Sequence, residues 1–273
     1  MKIKQSGGNT VIYDEDCFDI ALTLDCGQAF RWSCGSDGVW SGVAGSKYLR
    51  LKQAGGEITL FDTSEEDFES FWRRYFDLDR DYAAILDSYD DPSLVQACGQ
   101  YRGIRILKQD EWETVCSFII SANNNIPRIK GIIGRLCENF GEKITDTVYS
   151  FPSAEKIAAL ELEDLDVLRA GFRNKYILDA AHKISSGEVD LEKIKTADFD
   201  AARTELLKIK GVGEKVAQCA LLYGFGRVEA FPVDVWVRRI VSELYPEGLP
   251  ICIKGTEGIA QQYLFHWRRN LEQ

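Results

Sequence analysis

The chain has 273 residues, 45% of them hydrophobic and 28% charged, which is enough for a full-sized core, most simply arranged as two lobes. Eight cysteines without a Cys-x-x-Cys pair, and only two histidines, argue against zinc or iron–sulfur ligation. The opening MKIKQSGGNT lacks the apolar stretch of a signal peptide and no transmembrane run follows, so reduced thiols in a cytoplasmic compartment are the simplest reading.

A net charge of −10 speaks against a polyanionic partner until its distribution is considered. Residues 57–91 carry twelve Asp/Glu against three Lys/Arg. Residues 101–135 reverse this with six basic against three acidic, and residues 202–240 with seven against four. A basic face is therefore compatible with the acidic total, and it predicts modest, salt-sensitive affinity for a polyanion.

In chain order, short alternating segments come first. Thr10–Tyr13, Asp19–Leu24, Phe30–Ser33, Val39–Ala44, Tyr48–Lys52 and Glu57–Phe61 read as strands of an antiparallel sheet joined by glycine-bearing turns. Among them Ile20, Leu22 and Leu24, then Phe30 and Trp32, predict two strands around a Cys26-Gly27-Gln28 turn. From Glu65 onward helical periodicity dominates, with Thr63, Ser93 and Ser153 as candidate caps. Strands first and helices later predict an α+β fold.

In residues 109–141, Trp112, Val115, Phe118 and Ile119 recur at helical spacing and stop at Asn123-Asn124-Asn125. Asparagine tolerates the left-handed conformation that ends helices, and Pro127 suits the first turn of the next one.

Residues 205–239, ELLKIKGVGEKVAQCALLYGFGRVEAFPVDVWVRR, are the most informative stretch. Leu206, Leu207 and Ile209 before Gly211-Val212-Gly213, and Val216, Ala217, Ala220 and Leu221 after it, fit two packed helices. The turn is either a hairpin whose glycines permit tight packing or an anion cradle, in which backbone N–H groups meet a helix N-terminus. Lys215 opens the second helix. It is a solvated surface lysine or, if partly desolvated or beside other cations such as Lys208, Lys210, Arg238 and Arg239, a nucleophile. Asp234 follows nineteen residues later, after Pro232, where it can cap the helix starting near Val235. A capping carboxylate is held in place, so it can also steady positive charge. In residues 258–270, Gln261 and Phe265 share a helix face and read either as core or as a surface that stacks on an extruded base and bonds its edge.

KGVGEKVAQC followed by FPVDVW resembles the helix–hairpin–helix, Gly/Pro-rich, Asp-containing (HhH-GPD) superfamily of DNA glycosylases, and more narrowly the 8-oxoguanine DNA glycosylases. FDIALTLDCGQAFRW, QDEWETVCSFIISANNNIPRIKGIIGRLCENFG and GIAQQYLFHWRRN carry the same resemblance, which thus spans nearly the whole chain. It implies an antiparallel-sheet, TBP-like lobe over residues 1–105 and a helical HhH-GPD catalytic region over residues 106–273. It also implies a monomer acting on double-stranded DNA that contains an oxidised guanine. The implied chemistry calls for no cofactor and no metal, although a monovalent ion could sit at the hairpin carbonyls.

By the resemblance, Lys215 attacks C1′ of the damaged nucleotide and Asp234 supports the cationic transition state, while Gly211, Val212 and Gly213 form the phosphate-binding hairpin. Gly27 offers its carbonyl to N7–H of 8-oxoguanine, which guanine lacks; Cys219 and Phe265 sandwich the base and Gln261 bonds its Watson–Crick edge. Asn123, Arg128 and Arg173 contact the cytosine left behind, and Phe172 is the wedge. Two positions depart from the pattern: Phe172 stands where many relatives have tyrosine, and Trp236 where eukaryotic relatives have histidine, whose role does not transfer. The implied reaction is removal of 8-oxoguanine opposite cytosine followed by β-elimination. Two other readings stay open on the residues. One is a monofunctional alkylated-base glycosylase, which keeps the aspartate, lacks this lysine and uses water. The other is a non-catalytic module that uses the hairpin only to hold phosphates.

Overall fold

A computed structural model describes residues 1–13 and 15–271. Six strands form one sheet: β1 (Lys2–Ser6), β2 (Asn9–Tyr13), β3 (Trp32–Cys34), β4 (Trp40–Ala44), β5 (Lys47–Ala54) and β6 (Glu57–Phe61), in the order β1-β2-β6-β5-β4-β3. The pairs β1–β2, β2–β6 and β5–β6 are antiparallel. Register places Leu51 opposite Leu60 and Leu60 opposite Thr10, a row with no solvent exposure. Alternation along these strands turns one face inward, as a period of two requires.

Fourteen α-helices occur among the described residues. The first five are α1 (Ile20–Leu24), α2 (Glu65–Asp67), α3 (Arg73–Tyr75), α4 (Tyr82–Asp87) and α5 (Pro92–Gln100). The next seven are α6 (Glu111–Ser121), α7 (Ile126–Phe140), α8 (Ala154–Ala158), α9 (Asn174–Ser185), α10 (Leu191–Thr196), α11 (Phe199–Leu206) and α12 (Glu214–Tyr223). The last two are α13 (Val235–Leu244) and α14 (Glu257–Leu271). The α+β fold expected from strands first and helices later is the one observed.

The chain divides into two compact units that are not sequential: residues 1–41, 49–108 and 226–273 form one, and residues 42–48 with 109–225 the other. The core of the first is aromatic. Trp32 donates its indole N–H to the Tyr75 hydroxyl (2.8 Å), and Trp72, Phe76 and Phe18 pack around them. In the second unit α6 is almost wholly buried and packs against α7, α9 and α12. Each fully buried Ile or Phe there contributes about 1.5–3 kcal/mol of apolar transfer.

The structure corrects three expectations. Residues 19–24 are not a strand: Asp19 caps α1, accepting from Leu22 N–H at 2.8 Å, and Ile20, Thr23 and Leu24 form the buried face. Ile20, Leu22 and Leu24 alternate, but the helical set Ile20/Thr23/Leu24 was present as well, and contacts with Gly103 and Gln53 select it. The cap of α2 is Ser64, whose hydroxyl accepts from Asp67 N–H, because the Thr63 hydroxyl is turned to the Phe61 carbonyl. The cap of α5 is Asp91, not Ser93, with Pro92 beginning the helix. The third cap, Ser153, accepts from Lys156 N–H as expected. Strand β1 escaped the sequence reading because its residues are nearly all exposed and show no alternation.

Candidate active site

The hairpin lies between α11 and α12. Gly211 adopts a φ of +86°, and a Cβ there would stand 2.5 Å from Cγ of Tyr176, so both conformation and packing require glycine. Val212 N–H closes the turn on the Ile209 carbonyl at 3.1 Å. Lys210 N–H is held by the Asp179 carboxylate at 2.8 Å, so α9 braces the hairpin at two points. Gly213 is the N-cap of α12 and brings no side chain to cap it. Helix N-terminal N–H groups left without a side-chain acceptor suit an anion.

Lys215 is the second residue of α12 and is half-buried. Its ammonium lies 5.1 Å from the centroid of Phe118, a ring stacked on Tyr223 at 5.3 Å and 15°. The neighbouring Glu214 is occupied by Gln218 (3.0 Å) and Arg203 (2.9 Å), which hold its carboxyl below the usual carboxylate range. Cys219, one turn on, is buried.

A second cluster in the same unit joins α6 to α7 and precedes α9. Asn123 is exposed and left-handed at φ +50°, and Arg128 is exposed in the first turn of α7, which Asn125 caps. Arg173 is buried. Its guanidinium donates to the carbonyls of Ala122 (2.5 Å) and Asn123 (3.0 Å) and sits 4.6 Å from the Phe172 ring centroid. Burial and the nearby Arg128 charge lower its pKa. Phe172 itself is 56% exposed, its edge against Tyr176. The four residues expected at the opposite base and wedge therefore fall together, with Arg173 turned to the main chain of the Asn123 loop.

The remaining residues belong to the other unit. Asp234 caps α13, accepting from Val237 N–H at 2.8 Å. Trp236 is half-buried, with the Arg239 guanidinium 5.3 Å from its ring centroid. On α14, Gln261 is 5% exposed and its side-chain oxygen has no hydrogen-bond partner among the described residues, while Phe265 is half-buried. Gly27 has a φ of +86° in the turn after α1.

Several residues that shape these parts were given no role at the site in the sequence reading. Gln28 is fully buried and donates to the Thr23 and Arg105 carbonyls at 2.9 and 2.7 Å, while accepting from Leu107 N–H at 2.9 Å. Arg105 is in turn held by the Asp77 carbonyl and the Glu15 carboxylate, both at 2.7 Å. Gln262 donates to the Cys26 carbonyl at 3.1 Å. Phe118, Tyr176 and Asp179 belong with them; their apolar or charged spacing on a helix looks like ordinary core or surface. Among the described residues no group of three His, Cys, Asp or Glu side chains could hold a metal ion, and no helix is long and apolar enough to cross a membrane.

Comparison with known proteins gives a consistent picture. Residues 10–115 match the family described as 8-oxoguanine DNA glycosylase, N-terminal domain, and residues 116–248 match the HhH-GPD superfamily base excision DNA repair protein family. The chain is 33% identical to the N-glycosylase/DNA lyase of Saccharomyces cerevisiae, over 83% of this chain and 68% of that protein. It is similar to the structure of MBOgg1 in complex with a low-affinity DNA ligand (40% identity, 100% of this chain and 99% of that chain, TM-score 0.92). It is also similar to the Clostridium acetobutylicum 8-oxoguanine glycosylase/lyase in complex with double-stranded DNA containing cytosine opposite 8-oxoguanine (35% identity, 100% of this chain and 99% of that chain, TM-score 0.92).

Proposed function

The chain belongs to the 8-oxoguanine DNA glycosylase family of the HhH-GPD superfamily, and on that premise we propose that it excises 8-oxoguanine paired with cytosine and then cuts the strand at the abasic site. The observation that carries the reading is a lysine, Lys215, in the uncapped first turn of the helix that follows the glycine hairpin. A glycosylase that used water would have no need of an amine there.

The steps follow from the groups present. The hairpin amides and the exposed start of α12 take a backbone phosphate. Phe172 enters the stack as the lesion leaves it, an extrusion that costs a few kcal/mol. Asn123 and Arg128 meet the widowed cytosine, and Arg173 braces their loop through the Ala122 and Asn123 carbonyls. The resemblance assigns Cys219 and Phe265 to the faces of the base, Gln261, whose side-chain oxygen has no partner among the described residues, to its Watson–Crick edge, and the Gly27 carbonyl to N7–H. Guanine presents an acceptor at N7, which a carbonyl repels.

Once the Lys215 ammonium has passed a proton to solvent, its amine gives its lone pair to C1′ while the C1′–N9 bond breaks; the base departs with the electrons of that bond and takes up a proton, and the attacking nitrogen loses a second proton. The Asp234 carboxylate, fixed by its bond to Val237 N–H, offsets positive charge growing on the sugar. Ring opening yields an iminium between Nζ and C1′. Loss of a C2′ proton leaves its electron pair as the C1′–C2′ double bond of an enamine, with the iminium pair moved to Nζ. That nitrogen pair then reforms the iminium, the C1′–C2′ pair becomes the C2′–C3′ double bond, and the C3′–O bond breaks with its electrons leaving on the 3′ phosphate, which cuts the strand. The protein acts as a monomer and needs no cofactor for these steps.

Borohydride reduces an iminium to a stable amine, so a duplex with 8-oxoguanine opposite cytosine should yield a covalent protein–DNA adduct with the unaltered chain and none with Lys215→Gln. Persistence of the adduct in the variant removes Lys215 from this role. Repeating the incubation with each of the four opposite bases reads the cytosine preference directly.

A further inference from the structure

We propose that two buried amides, those of Gln262 and Gln28, are positioning residues for lesion selectivity, fixing the direction of the Gly27 carbonyl. The inference rests on the reading of Gly27 as the group that tests N7 of the base.

A glycine is a poor platform for a directional contact. Gly27 has a φ of +86° and no side chain to anchor it, and the space a Cβ would take is open to 4 Å. Its carbonyl can point reliably only if the peptides on both sides are anchored. They are. On the preceding side, the Cys26 carbonyl accepts from Gln262 Nε2 at 3.1 Å. The Cys26 thiol is buried as well, donating to the Thr23 carbonyl at 3.3 Å, and burial pushes it up to about 12. On the following side, the Gln28 side chain makes bonds of 2.9, 2.7 and 2.9 Å to Thr23, Arg105 and Leu107. Both glutamines are essentially without solvent exposure, at 0% and 1%.

Gln262 adjoins Gln261 on α14, although it lies 236 residues from Cys26. One bond therefore ties the turn that reads N7 to the helix whose next residue reads the Watson–Crick edge. Hydrogen bonds weaken steeply at donor angles below about 120°. A carbonyl that swings would lose both its attraction for the N7–H of the oxidised base and its repulsion of the bare N7 of guanine.

The test uses the full chain with Gln262→Met, which keeps the length of the side chain and removes the donor. Excision of 8-oxoguanine opposite cytosine under single-turnover conditions should fall about tenfold, and cleavage at a preformed abasic site, which presents no base, should stay within about twofold. In the Lys215→Gln background, the preference for an 8-oxoguanine duplex over one carrying 8-oxo-7-deazaguanine, with C7–H in place of N7–H, should shrink toward parity. Unchanged excision overturns the inference, and so does parallel loss of both activities with the preference retained, since that marks a merely structural residue. If Gln262→Met does not fold, Gln28→Met is read by the same split. An unaltered chain that fails to excise 8-oxoguanine would instead refute the proposed function itself.

Discussion

The two compact units of this protein are organised by different means. In the unit that holds the hairpin, Lys215 and Phe172, candidate residues are set mainly by devices a few residues long, with Tyr176, Asp179 and Arg173 adding contacts from farther along the chain. The short devices are a left-handed Gly211, an Asn125 cap, a proline in the first turn of α7, and an exposed Phe172 leading into α9. In the unit that holds Gly27, Asp234 and Gln261, the Asp234 cap, the left-handed Gly27 and the Cys26 and Gln28 bonds to the Thr23 carbonyl are local, and longer-range contacts are added to them. The turn at Gly27 is built by contacts from residues as far off as Arg105 and Gln262. The difference suits the tasks. Under the proposed function, the hairpin unit would hold phosphate and the opposite base with motifs from short stretches of chain, and the other unit would read the lesion with groups placed from distant stretches.

Three substitutions sharpen or break this contrast. The largest effect is expected at Asp234. Asparagine also caps helices, so Asp234→Asn should leave stability within about 0.5 kcal/mol while lowering 8-oxoguanine excision on the order of 10²–10³-fold. Thermal melting beside single-turnover kinetics separates the two quantities, and excision near the unaltered rate would reduce Asp234 to a cap.

Next comes Gly211→Ala. A methyl group pressed on the Tyr176 ring at a positive φ should destabilise the chain by about 2 kcal/mol and weaken binding to undamaged duplex DNA. Urea denaturation and a binding isotherm read both. If the variant changed preference among bases instead of general affinity, the division of labour drawn above would be wrong.

The smallest structural effect belongs to Phe172→Ala. Its ring is more than half exposed, so stability should change by no more than about 0.5 kcal/mol, with excision slowed about tenfold by the lost wedge. Abasic-site cleavage, which has no stacked base to displace, is the internal control.

Legibility in the sequence followed the same line. The strands from β2 onward, except at residues 19–24, the helices on either side of Asn123–Asn125, and the hairpin with Lys215 follow periodicities and turn residues that lie side by side in the chain. Arg173 shows the limit. Its number could be matched to a relative's, but its partners, the Ala122 and Asn123 carbonyls, are main-chain groups about fifty residues away that any sequence would supply. Residues 19–24 show another: one pattern satisfied both a strand and a short helix, and the Gly103 carbonyl and Gln53 side chain settled it.

The sequence by itself determined that strands precede helices, where the chain must turn through a left-handed residue, and which amine and carboxylate the proposed reaction would use. These are properties of neighbouring dihedral angles and of side-chain types. Tertiary structure alone decided which buried amides hold the Gly27 turn, which ring lies beneath the Lys215 amine, and which carbonyls Arg173 braces. A glutamine or a phenylalanine carries no mark of its partner: its energy depends on what folding brings within three or four ångströms, and that is set by packing across the whole unit.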